Sequence, residues 1–90
     1  MYRIVLVCKG VSRDAGPDAA RAIAEEFAHR PWQQNVTCVW DGRTLALQAD
    51  NEYDANGYAL RDEFSDAISA CIPAGLDGDI EVVSVMTVQD

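Results

Sequence analysis

The chain contains few cysteines, a single histidine and fewer than half as many basic as acidic side chains. Its three cysteines are odd in number and include no Cys-x-x-Cys pair, which argues against a secreted disulfide framework, a zinc knuckle and a thioredoxin-type redox centre. Seven Lys and Arg against fifteen Asp and Glu give a formal net charge of −8. Because this charge repels phosphate backbones and anionic lipids, we expect neither a nucleic acid nor a membrane as partner.

Long hydrophobic runs are also missing. The apolar start of the chain, residues 4–8, is too short for a signal-peptide core and is followed by Lys9 and Gly10 instead of a cleavage site. No stretch approaches the roughly 20 apolar residues of a membrane helix. The composition, 49% hydrophobic and 24% charged, is typical of a folded protein. We therefore expect residues 1–90 to form a single cytoplasmic domain.

Hydrophobic periodicity and turn residues divide the chain into six elements. In chain order these are a strand over residues 2–9, a helix over 17–30, strands over 36–40 and 43–49, a helix over 58–72 and a strand over 80–88. Two strand–helix–strand units joined by a hairpin are typical of the ferredoxin-like split βαβ fold of the α+β class (βαββαβ). The order predicts a four-stranded antiparallel sheet, with the first and third strands central and both helices on one face.

The hairpin between the second and third strands is predicted from the dipeptide Asp41-Gly42. Asp-Gly between two β-rich runs is typical of a two-residue turn with positive φ at both central positions. Such a turn places Trp40 opposite Arg43 and Cys38 opposite Leu45. The larger apolar side chains then share one face of the sheet, as a buried face requires.

Alternation along the strands leaves one face of the sheet without a covering helix. Met86 is assigned to the helix side, and the centre of the open side is assigned to six apolar residues: Val5, Val7, Val39, Ala46, Val83 and Val85. Aromatic side chains that would stack RNA bases are missing from this set. We predict an interface for a homodimer or for another protein; the alternative is an uncovered face of moderate polarity.

A second candidate is the loop of residues 10–16, which leads into the first helix. Ser12, Arg13 and Gly16 lie where helix N–H groups and a guanidinium could bind a small anionic ligand. In topology, length and the Asp41-Gly42-Arg43 hairpin the chain resembles acylphosphatases, which implies phosphate binding at this loop and hydrolysis of acyl phosphates. The glycine- and arginine-rich motif of that family is missing here, and no asparagine lies directly before the Asp41-Gly42 turn.

A third candidate is the polar segment after the hairpin. Glu52, Asp54, Asn56 and Glu63, with Gly57, follow the spacing of an EF-hand loop and would bind calcium as the one candidate cofactor. Glu52 replaces the usual first aspartate, and the incoming element is predicted to be a strand instead of a helix. The alternative is that Asp54 or Asn56 caps the second helix.

The residues suggest no catalytic group, since the one histidine, His29, lies at a helix end beside Arg30. We therefore expect a non-enzymatic module for protein interaction or self-association. The alternatives are a domain that binds a small anionic ligand and an acylphosphatase-like hydrolase.

Overall fold

A computed structural model describes residues 1–71 and 79–88. Its elements are β1 (Tyr2–Lys9), α1 (Gly16–Phe27), β2 (Gln34–Trp40), β3 (Leu45–Asn51), α2 (Tyr58–Cys71) and β4 (Asp79–Thr87). The four strands form one antiparallel sheet in the order β2-β3-β1-β4. This arrangement confirms the ferredoxin-like βαββαβ fold, with β3 and β1 at the centre. The predicted end of the second helix, at residue 72, lies outside the described residues.

The hydrophobic core lies between the sheet and the two helices. Alternate residues of the central strands are fully buried, and the largest helix side chains in the core are Phe27 and Phe64. Each large apolar side chain removed from water contributes about 1.5–3 kcal/mol to folding. The helices therefore cover one side of the sheet, and no element within residues 1–71 and 79–88 covers the other side.

The β2–β3 hairpin has a longer connection than predicted. Trp40 pairs with Leu45 and Cys38 with Leu47, so the expected pairing with Arg43 and Leu45 is wrong by two residues. The carboxylate of Asp41 explains the difference, because it accepts the backbone N–H groups of Arg43 (2.8 Å) and Thr44 (2.7 Å) and closes a four-residue loop. A shift of two residues keeps every side chain on its predicted face.

Strand β4 departs from the predicted alternation at a β-bulge. Val5 pairs with Ser84 and Leu6 with Val82, which leaves Val83 as the extra residue. Past the bulge the alternation is inverted: Val85 pairs with Ile4 and packs against the core, whereas Met86 is exposed. The predicted placement of Val85 on the open side is therefore wrong, and Met86 takes that place.

Candidate functional site

The sheet surface opposite the helices is the open face. An apolar band crosses it diagonally, from the hairpin end of β2 over β3 and β1 to the end of β4. Its members are Val39, Ala46, Val7, Val5, Val83 and Met86. Val39, Val83 and Met86 keep 56%, 57% and 55% of their surface exposed. Five of the six residues predicted from the sequence thus lie on the open face.

Two polar corners flank this apolar band. The Arg3 corner contains Arg3 of β1 with Asp50 of β3, together with Asn35 and Thr37 of β2. The Glu81 corner contains Lys9 of β1 with Asp79 and Glu81 of β4. In the Glu81 corner, Lys9 Nζ and Glu81 Oε2 lie 3.7 Å apart, and both side chains are more than half exposed. Because this pair is exposed, it contributes little to folding stability.

The Arg3 corner is organised by a two-pronged ion pair. The guanidinium of Arg3 donates from Nε and Nη2 to the two carboxylate oxygens of Asp50, each at 3.0 Å. Asn35 Nδ2 donates a further bond of 3.0 Å to the same carboxylate. These bonds hold the pKa of Asp50 below its ordinary value, and the bond from Arg3 has the largest effect. The Asp50 side chain is almost fully covered, whereas the Arg3 side chain remains 36% exposed.

The ion pair makes folding stability depend on acidity. The folded-state pKa of Asp50 is depressed, so its contribution is complete above the unfolded pKa of about 3.9 and is lost as pH falls through the folded pKa. We expect Asp50→Asn to destabilise the protein at neutral pH and to differ less from wild type as the medium becomes more acid. Urea unfolding at several pH values measures this difference. A difference that stayed constant down to strongly acid pH would contradict the assignment.

In the loop before α1, where an anion site is predicted, two of the backbone N–H groups are bonded within the loop. The backbone N–H groups of Ala15 and Gly16 both donate to the carbonyl oxygen of Ser12, at 3.2 and 3.0 Å. Pro17 has no N–H, and Gly16 is buried against the ring of Trp40. Of the three predicted ligands, Arg13 is exposed, while Ser12 Oγ lies 3.3 Å from the N–H of Ala15.

The residues of the EF-hand-like spacing point to different places. Asp54 accepts the N–H groups of Ala59 (3.2 Å) and Leu60 (2.8 Å) at the start of α2. Asn56 Oδ1 accepts the N–H of Tyr58, and the Glu63 carboxylate accepts bonds from Trp32, Gln33 and Tyr53. The capping alternative is therefore confirmed. Within residues 1–71 and 79–88, no group of three or more His, Cys, Asp and Glu side chains could hold a metal ion.

Glu63 instead forms the centre of a polar network that the sequence did not reveal. Its Oε1 accepts bonds from Trp32 Nε1 (2.8 Å) and Arg30 Nη1 (3.2 Å). Its Oε2 accepts bonds from Gln33 Nε2 (2.7 Å) and from the hydroxyl of Tyr53 (3.3 Å). The network joins the connection between α1 and β2 to α2 and to the loop before α2. Because its bonds join segments that are distant in the sequence, the network has a structural role.

The three cysteines form no disulfide. Burial raises the pKa of the Cys38 thiol to about 11, and burial also raises the pKa of the thiols of Cys8 and Cys71. At neutral pH all three are therefore protonated, which disfavours a role as nucleophile.

No protein-family model, curated protein or solved structure matches this chain. No helix in the described part of the chain has the length and apolar character needed to cross a membrane.

Proposed function

We propose that the protein is a self-association module in which two copies stack through their open faces to form a homodimer. The observation that carries the proposal is the apolar band, where three large side chains each keep more than half of their surface exposed. Water in contact with such a band is released when a second sheet covers it, which favours association. The second copy supplies an equally apolar band of the same length.

The size of the open face fits a reversible dimer. Strands spaced about 4.8 Å apart, with a rise of about 3.3 Å per residue, give a four-stranded face of roughly 20 by 25 Å. Two such faces would bury about 1,000 Å² in total, which is the lower limit for a specific interface. We therefore expect a dimer that dissociates on dilution into the micromolar range.

The charge distribution also favours this face over the rest of the surface. The five ionised side chains of the open face are Arg3, Lys9, Asp50, Asp79 and Glu81, two positive and three negative, with a formal sum of −1. The described residues include thirteen acidic and seven basic side chains, a formal charge of −6, so −5 lies elsewhere on the described part of the chain. Two copies therefore repel each other least when they meet through their open faces.

The edges of the sheet are less suited to pairing with another copy. Edge strand β4 has the bulge at Val83, and edge strand β2 has an irregularity between Gln34 and Thr37, where Asn35 has a φ of 52°. Bulges twist an edge and interrupt its row of free N–H and C=O groups. Stacking of faces is therefore favoured over extension of the sheet.

The three unpaired thiols support our further proposal that the protein works, without catalysis, in the reducing cytoplasm.

A charge placed in the apolar band tests the proposal. We expect Val83→Asp to weaken the dimer at least tenfold, because two carboxylates would be buried in an apolar contact. Val83 is exposed and lies in a bulge, so the monomer fold is preserved. Sedimentation equilibrium over a concentration series measures the dissociation constant, and circular dichroism checks the fold.

Tyr58→Asp is the matched control for this variant. Tyr58 is 54% exposed, close to the value of Val83, but it lies at the start of α2, away from the open face. The control adds the same negative charge and leaves the apolar band intact, so we expect a much smaller change in dissociation constant. A wild-type protein that stays monomeric at millimolar concentration, or equal effects of the two variants, would refute the proposed dimer.

A further inference from the structure

The apolar and polar residues of the open face are arranged so that two orientations of a stacked dimer can be distinguished. The apolar band runs along one diagonal, from Val39 at the hairpin end of β2 to Met86 at the end of β4. The Arg3 corner and the Glu81 corner occupy opposite sides of this band. The face is therefore an apolar diagonal with one polar corner on each side.

Two copies stacked face to face by a two-fold rotation have their axis in the plane between the sheets. The apolar bands overlap fully for two directions of this axis. If the axis runs along the band, the Arg3 corner of one copy covers the Glu81 corner of the other. If the axis runs across the band, each corner covers its own counterpart, and Glu81 approaches the partner's Glu81.

The accessible charges of the two corners have opposite sign. In the Arg3 corner the Asp50 side chain is 1% exposed and the Arg3 side chain 36% exposed, so the charge presented to a partner is positive. In the Glu81 corner, Glu81 and Lys9 are similarly exposed and Asp79 is exposed as well, so the charge presented is negative. Opposite corners attract and like corners repel.

From this pattern, and given the proposed homodimer, we infer that the two-fold axis lies along the apolar band and that Arg3 of each copy faces Glu81 of the other. Within one chain the two side chains cannot pair. Glu81 lies opposite Val7, four residues along β1 from Arg3, a separation of about 13 Å. An interaction between Arg3 and Glu81 is therefore a signature of the dimer alone.

The variant Glu81→Gln tests this geometry by the sign of its effect. If Glu81 faces the partner's Arg3, loss of its charge removes two attractions, one at each end, and raises the dissociation constant about three- to tenfold. If Glu81 faces the partner's Glu81, the same change removes a repulsion and lowers the dissociation constant. Asp18→Asn is the matched control, because exposed Asp18 lies on α1 and its replacement changes the net charge equally.

Thr37→Lys provides a second test, in which a charge is added to the Arg3 corner. Thr37 is exposed on β2, so the substitution preserves the fold. An axis along the band brings the new lysine near the partner's Glu81 and tightens the dimer. An axis across the band brings it near the partner's Arg3 and weakens the dimer.

Sedimentation equilibrium of the full chain at low ionic strength measures both variants. A weaker Glu81→Gln dimer together with a tighter Thr37→Lys dimer supports the inference. A change of opposite sign in either variant, or no difference from the control, overturns the inferred axis while the dimer itself stands. A monomeric wild-type protein overturns both the axis and the proposed function.

Discussion

Replacing Gly16 with alanine is expected to lower the free energy of unfolding by about 2–3 kcal/mol, because the site has no room for a methyl group. A Cβ at Gly16 would lie 2.2 Å from two ring carbons of Trp40 and 2.7 Å from a third. The indole is a rigid double ring that packs against the core, so it must move as a unit to relieve this overlap. Urea unfolding measures the loss.

Two further variants show whether the indole causes this loss. Gly42→Ala is the control, since Gly42 has a φ of +97° and nothing within 4 Å of its position for a Cβ. Backbone strain alone should cost it about 1 kcal/mol. Leucine at position 40 removes the indole, so Gly16→Ala should cost less in the Trp40→Leu background than in the wild type. Equal costs at Gly16 in both backgrounds would contradict the overlap with the indole.

Replacing Asn51 with alanine is expected to destabilise the protein by about 3 kcal/mol, since buried polar groups would lose their partners. The Asn51 side chain is fully buried. Its Oδ1 accepts the N–H groups of Tyr53 (3.2 Å) and Asp54 (2.8 Å), and its Nδ2 donates to Gln33 Oε1 (3.0 Å). Alanine leaves the buried N–H of Asp54 and the Gln33 oxygen unpaired.

Asn56→Ala is the matched comparison for Asn51→Ala. Asn56 makes the same kind of local bond, from the N–H of Tyr58 to its Oδ1 at 3.0 Å, but it is exposed. Water replaces this bond when it is lost, so the cost should be about 1 kcal/mol or less. Thermal and urea unfolding of the two variants give the comparison. Similar losses at the two asparagines would contradict the role assigned to burial.

The order of the elements could be predicted because it depends on local signals. Strand β1 is a nearly continuous apolar run, Pro17 begins a helix, and Asp41-Gly42 separates two β-rich segments. Chirality and the pairing of neighbouring strands then leave few topologies for six such elements. The two helices and four strands therefore follow from the sequence, apart from their ends.

The residues of the open face could be predicted only where side chains alternate regularly between the two faces of the sheet. A bulge adds a residue without changing composition, so the extra residue Val83 gave no signal in a run of β-branched residues. The predicted faces of the β4 residues beyond Val83 are therefore reversed. Val85 lies on the core side of the sheet, and Met86 lies on the open face. The ion pair of Arg3 with Asp50 could not be predicted because the predicted strand ends at residue 49, whereas β3 continues to Asn51.

The network around Glu63 could not be predicted because its members are far apart in the chain. Gln33 lies 30 positions before Glu63, and the two meet only when the segment between α1 and β2 lies beside α2. The spacing of Glu63 from Asp54 instead resembled a calcium loop. Polar spacing along a chain does not determine which side chains converge, since the fold sets their directions.

Nuclear magnetic resonance on dilution tests the self-association of the open face most directly. Amide and methyl signals recorded from millimolar to low-micromolar concentration report which residues change environment when the dimer dissociates. We expect shifts concentrated at Val5, Val7, Val39, Val83 and Met86, with the outer surfaces of α1 and α2 unchanged. Spectra that do not depend on concentration, or shifts located on the helices or along the edge of β2, would contradict the sheet-face dimer.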